Sequence, residues 1–180
     1  MAIAGGGVAG LSSAIFLARA GISVALFDQA ESSLYRVSKI RNYLGFPDGV
    51  GGPDLLTLGK AQAAQAGAKV FDEGINSVAR TDGDGFEVRT SARTLRGTRF
   101  ILASNKRTDL AAALGIPLGG HGGRFVSVDA DGQTAVPGAY AVGRITGLPS
   151  QAIISAGDGA RVAIAIIQTI RGSYYVDHDT

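Results

Sequence analysis

The stretch "AIAGGGVAGLSSAIFLARAG" (residues 2–21) constrains this chain more than any other segment. It sets Gly5-x-Gly7-x-x-Gly10 between a short apolar run and a stretch of helical period, with Gly21 as a helix stop. Each glycine has its own physical task. Gly5 permits a tight turn, Gly7 lets a pyrophosphate approach the backbone, and Gly10 lets a helix pack closely on a strand. Val8 and Ala9 complete the turn. The helix, expected from about Leu11 to Ala20, offers unpaired N–H groups and the positive end of its dipole to the phosphates. "SVALFD" (23–28) reads as a buried strand ending in Asp28, an acid placed to accept hydrogen bonds from ribose hydroxyls. The pattern is that of a dinucleotide site. Taken alone, the turn leaves NAD and FAD both open.

The remaining segments alternate in type. Residues 29–53 are irregular, and a helix is expected from about Pro53 to Ala66, with its proline in the first turn. "AKVFD" and "INSVAR" read as short strands, and "DGDG" (82–85) as a hairpin turn. "FEVRT" and "TLRGTRFILAS" pair around a Ser/Ala turn, and "FILAS" is apolar enough to be a central strand. "RFVSVD" and "GAYAVG" supply two more strands before a final helix from about Gln151 to Arg171. This order implies an α/β fold: a Rossmann-like domain over residues 1–180, mostly parallel sheet with helices on it, and a small antiparallel β excursion around 75–100. The first strand is short, which raises the expectation that the natural start lies upstream of Met1.

Composition narrows the function. Hydrophobic residues make up 46% and charged residues 18%, the balance of a globular chain and not a disordered one. Net charge is only +2, and the basic stretches "RVSKIR" and "SARTLRGTR" lack interleaved aromatics, so they read as solvated faces and no nucleic-acid partner is expected. The absence of cysteine removes disulfides, thiolate nucleophiles and cysteine metal sites, and it suits a cytoplasmic protein. The opening run has no basic flank, its glycines would weaken a spanning helix, and "VAIAIIQTI" is too short to cross a bilayer, so no membrane partner is expected either.

A second segment decides between the two dinucleotides. "TAVPGAYAVGRITGLPSQAIISAGDGARVAIAII" (134–167) resembles the carboxy-terminal flavin motif of the two-dinucleotide flavoproteins, above all the thioredoxin reductases, where a "PGVFAAGD" strand precedes a helix opening "QAI.SAG.G". "RNYLGFPDGVGGPDLL" (41–56) is similar to that family's asparagine-containing segment beside the flavin ring, and "FILAS" sits where its "ATG" turn falls. The resemblance is collinear over nearly the whole chain and is nearest to the small, single-domain thioredoxin reductase-related proteins. It implies FAD as cofactor. It further implies that Gly5, Gly7, Val8, Ala9, Gly10, Phe27 and Asp28 hold the adenosine and pyrophosphate end. Asn42 then lies near the isoalloxazine with Ser38 beside it, and Ile75 meets the adenine edge through its backbone. Ala103, Ser104 and Asn105 follow their strand into the pyrophosphate region, and Gln151 and Ala152 meet the ring. A helix capped by Ser150 would aim its positive end at the flavin and stabilise the anionic reduced ring.

Three departures from that family matter. Only residues 106–124 lie where thioredoxin reductases carry an NADPH domain; there is no second G-x-G-x-x-G, and "GGHGG" (119–123) reads as a shortened crossover. The redox dithiol is missing. Arg144, following Gly143, replaces the family's aspartate, and it either pairs with the pyrophosphate or points to solvent. Asp158 is expected to serve as a cap or surface acid, the alternative being that it compensates for the replaced aspartate. His121, His178, Lys39 and Arg41 are expected at the surface, and no residue is identified as catalytic or metal-ligating. The expected function is that of an FAD-binding oxidoreductase or electron-transfer protein. It would depend on a separate reductase, an electron-acceptor protein or diffusing NAD(P)H, and form a homodimer that covers the open flavin face. The alternative is a non-catalytic flavin-binding module or partner subunit. An NAD-linked dehydrogenase is disfavoured, because no catalytic residue follows the fingerprint.

Overall fold

Short apolar segments build the central sheet of this computed structural model, which describes residues 1–177. Strand β1 (Ala2–Ala4) leads into helix α1 (Val8–Arg19), β2 (Ala25–Phe27), helix α2 (Gly52–Gln65) and β3 (Lys69–Phe71). The chain then leaves the sheet as β4 (Ser77–Arg80), β5 (Phe86–Arg89) and β6 (Thr94–Gly97), and re-enters as β7 (Phe100–Leu102). A crossover of α3 (Asp109–Ala113), β8 (Leu118–Gly119) and β9 (Phe125–Val126) precedes β10 (Ala139–Ala141) and the closing helix α4 (Ala152–Arg171).

The main sheet runs β10-β7-β1-β2-β3, and every pair in it is parallel. Chain order reverses around β1: β2 and β3 build out on one side, β7 and β10 on the other. The register keeps the strand ends level, with Ala4 opposite both Phe27 and Leu102, and Leu102 opposite Ala141. A reversal of strand order leaves a crevice at the carboxyl ends, where ligands of such sheets bind.

Alternation along the strands separates two layers. Ile3, Leu26, Ile101 and Tyr140 face the helices, against Leu11, Ala14, Leu17, Leu56, Val162, Ala163 and Ile166. Ala4, Phe27, Phe100 and Leu102 face the other way, onto Val78, Phe86 and Val88 of the antiparallel sheet β4-β5-β6 and onto Leu110 of α3. With both faces covered, the strands need no polar alternation, which is why they read as apolar triplets.

Helices α1 and α4 lie in close contact because α4 presents a glycine there. A Cβ on Gly159 would stand 2.1 Å from the Ala9 carbonyl oxygen, and the buried Ser13 hydroxyl donates to the Gly159 carbonyl at 2.9 Å. This seam fixes where the two helix N-termini point.

Several boundaries differ from the sequence expectation. α1 begins at Val8 because Gly7, extended at φ −71° and ψ 172°, is its N-cap. The cap of α4 is Gln151, with no side-chain capping bond, so Ser150 does not serve there. β1 is three residues long, as are β2, β3, β7 and β10. "VAIAIIQTI" belongs to a helix of 20 residues that is long and apolar enough to cross a membrane by length and composition. In this fold its Val162, Ala163, Ile166 and Ile167 are wholly buried in the core.

Candidate dinucleotide site

The level strand ends release four segments into one crevice: Gly5 to Gly10 after β1, Asp28 after β2, Ala103 to Asn105 after β7, and Val142 to Arg144 after β10. The glycine turn is shaped by contacts that exclude side chains. Gly5 has φ +119°, and a Cβ on it would lie 2.4 Å from the Ala103 carbonyl oxygen. A Cβ on Gly10 would lie 2.0 Å from the Gly5 carbonyl oxygen. Gly6, which the sequence reading passed over, lies against Asp28, whose Cβ and Cγ would be 2.4 Å from an added Cβ. Gly7 differs from all three. Within 4 Å of its would-be Cβ lies only the Ser32 hydroxyl, at 3.6 Å. Its bare side therefore faces a cradle that a methyl group would begin to fill.

Two adjoining cavities occupy the crevice. The first is bounded by Gly5, Gly6 and Gly7, by Phe27 and Asp28, by Ile75, and by Ala103, Ser104 and Asn105. The second is bounded by Gly7, Val8 and Ala9, by Arg144, and by Gln151, Ala152 and Ser155. Gly7, Ser32, Ala103 and Asn105 border both. Neither α1 nor α4 has a side-chain capping bond or an acid in its first turn, so both present N–H groups and a positive dipole end to the second cavity. Asn105 turns the chain between the cavities at φ +60°, a left-handed conformation that asparagine tolerates better than most residues.

Asp28 is 3% exposed and already engaged. One carboxylate oxygen accepts the Ala30 N–H at 3.0 Å. The other accepts the Tyr35 hydroxyl at 3.1 Å and lies 2.7 Å from the Lys60 ammonium, which also reaches Asp72 at 2.8 Å. Burial alone would lower the Lys60 pKa. Its bonds to Asp28 and Asp72 outweigh that and hold it above the ordinary lysine range. Burial, and then the Asp28 charge, push the Tyr35 phenol up. A carboxylate has about four acceptor sites, so Asp28 keeps room for a hydroxyl. Nothing near Asp28 in the sequence announced Lys60, which arrives from α2.

The Asn42 amide, exposed and bordering neither cavity, donates at 2.9 Å to the side-chain oxygen of Gln151, which borders the second. Residues widely separated in sequence thus meet where the resemblance places a flavin ring. Ser38 is exposed and borders neither cavity. Gly143, at φ +76°, is buried beside Ala9 and donates its N–H to Asp158 at 2.7 Å. Asp158 is therefore neither a cap nor a surface acid: it is 8% exposed and is held also by Arg161 at 2.8 Å. It anchors the segment that carries Arg144. Lys39, Arg41 and His121 are exposed, and His178 lies outside the described residues.

Residues 3–47 match the NAD(P)-binding Rossmann-like domain. The chain is 33% identical over 108 residues to NADPH-dependent thioredoxin reductase 3 of Arabidopsis thaliana, a match covering 57% of this chain and 20% of that protein. It is 33% identical over 105 residues to the thioredoxin reductase of Streptomyces clavuligerus, covering 57% and 32% respectively. The chain is similar to part of the thioredoxin reductases. Its match spans a third or less of the length of those two enzymes. The fold agrees: the thioredoxin reductase structure from Gloeobacter violaceus superposes with a TM-score of 0.89 at 17% identity, covering 99% of this chain and 96% of that one.

Proposed function

We propose that the chain binds FAD and works as an electron-transferring flavoprotein related to the thioredoxin reductases. The observation that carries this reading is the pairing of two adjoining cavities with two uncapped helix N-termini and with the Asn42–Gln151 contact. The bare side of Gly7 supplies the cradle a pyrophosphate needs, and the residues present fit the group.

Bound FAD would supply two-electron chemistry at its isoalloxazine ring. The chain's own residues bind, orient and tune. Asp28 reads the adenosine ribose, while Phe27 and Ile75 supply an apolar wall for the adenine. The N–H groups at the start of α1 hold phosphate charge. The amides of Asn42 and Gln151 orient the ring edge, and the start of α4 favours negative charge on it. The chain contains no cysteine, so electrons leave without a thiol of its own. Exposed Leu44, on the segment that carries Asn42, supports a second copy of the chain covering part of this surface.

The test is anaerobic mixing of the FAD-loaded chain with NADH or NADPH while the flavin absorbance is followed. Rapid bleaching supports the oxidoreductase. FAD uptake with no bleaching by either nucleotide leaves a flavin-binding module that needs a partner reductase.

A further inference from the structure

A third cavity adjoins the cofactor cavities, sharing Arg144 with the second and Lys106 with the first. The crossover between β7 and β10 supplies most of its lining, with Asn105, Lys106, Thr108, Leu118, Arg124 and Phe125 bordering it. Arg144 borders this cavity and the second cofactor cavity alike, as does Asn105. Lys106, Arg124 and Arg144 are all cations, and among the described residues none of the three has an ion-pair partner. Their neighbour Arg107 is treated differently: Asp109 holds it at 2.8 Å and Glu31 at 3.4 Å. Three uncompensated charges in one concave site repel one another, and an anion relieves that repulsion. Leu118 and Phe125 supply its apolar lining. Phe125 is held between Gly120 and Gly147, where added Cβ atoms would sit 3.1 and 3.2 Å from its ring. Cations and an aromatic ring lining one cavity suit a molecule with an ionised head and a flat apolar body.

We propose that this cavity binds the anionic head, phosphate or carboxylate, of the small molecule that exchanges electrons with the cofactor. The proposal deepens the flavin reading and rests on it for the identity of the neighbouring group. The shared wall of Asn105 and Arg144 sets the bound molecule beside the flavin cavity. The short crossover, which stands where relatives carry a nicotinamide domain, builds the site.

Isothermal titration of the FAD-loaded chain with inorganic pyrophosphate and with citrate tests this and separates the phosphate source from the carboxylate source. Arg124 borders neither cofactor cavity and makes no ion pair, so Arg124→Gln is the clean variant. One of the two anions should bind wild type, bind Arg124→Gln about tenfold more weakly, and recover in Arg124→Lys. Binding of neither anion, or equal binding to wild type and Arg124→Gln, overturns the site. Loss of FAD from Arg124→Gln also overturns it, by placing Arg124 in the cofactor site. The same wild-type-to-variant difference is measured on the cofactor-free chain. Arg124-dependent anion binding in a chain that takes up no FAD keeps the pocket and removes the flavin reading instead.

Discussion

Gly7 and Gly10 share one turn and answer to different demands. At Gly7 a Cβ meets open cavity, whereas at Gly10 it meets the Gly5 carbonyl. Gly7→Ala should therefore leave the melting temperature unchanged while weakening FAD binding by about tenfold or more, read by flavin fluorescence titration. Gly10→Ala should cost about 1–3 kcal/mol, lowering Tm by roughly 2–12 °C in a thermal melt. Lys60 offers a second test. Lys60→Met leaves Asp28 with only the Ala30 N–H and the Tyr35 hydroxyl, and should cost about 1–3 kcal/mol at neutral pH. The folded pKa of Lys60 is raised, so its contribution is complete below about 10.4 and fades as pH climbs through the higher folded value. The stability gap between wild type and Lys60→Met, followed by denaturant titration, should stay flat from neutral pH to about 10 and close above it. The acid was legible in the sequence because it ends an apolar strand. Its lysine was not, because α2 brings it in from a distance that no local pattern encodes.

Two positions on α4 separate packing from propensity. At Gly159 an added Cβ would strike Ala9, whereas nothing lies within 4 Å of one at Gly157. Gly157→Ala should be neutral or stabilising by about 0.5–1 kcal/mol, as for any exposed helical glycine. Gly159→Ala should destabilise by about 1–3 kcal/mol, because it forces α1 from α4. It should also weaken FAD binding, since the seam aligns both helix N-termini on the second cavity; a paired melt and flavin titration checks both effects. The long elements were legible because apolar periodicity and glycine stops mark them. α3 and β8 were not, since elements of five and two residues are too short to show a period, whereas β9 was read within "RFVSVD" though only two of its residues pair. Strand ends shortened for the same reason: only the triplets that pair in register count as sheet, whatever apolar residues flank them.

At the scale of the molecule, the parallel sheet followed from the order of strands and helices, and its reversal around β1 places the crevice. Most of the predicted site residues converge there, because four of their segments follow strands whose ends are level. Ser38 and Asn42 border neither cavity, since both lie on the exposed side of the irregular segment after β2, and only Asn42 reaches the site, through Gln151. Asp158 was misjudged because its helical position says nothing of the backbone N–H it meets on the neighbouring segment. The third cavity was invisible to sequence, where its cations stand scattered among ordinary surface charges.

The most direct test is equilibrium titration of the cofactor-free chain with FAD and, separately, with NAD. The twin-cavity account predicts stoichiometric uptake of FAD, with affinity at least about a hundredfold above that for NAD. It further predicts that Gln151→Leu shifts the visible spectrum of the bound flavin. A chain that takes up no FAD, or that binds NAD as tightly, would contradict it.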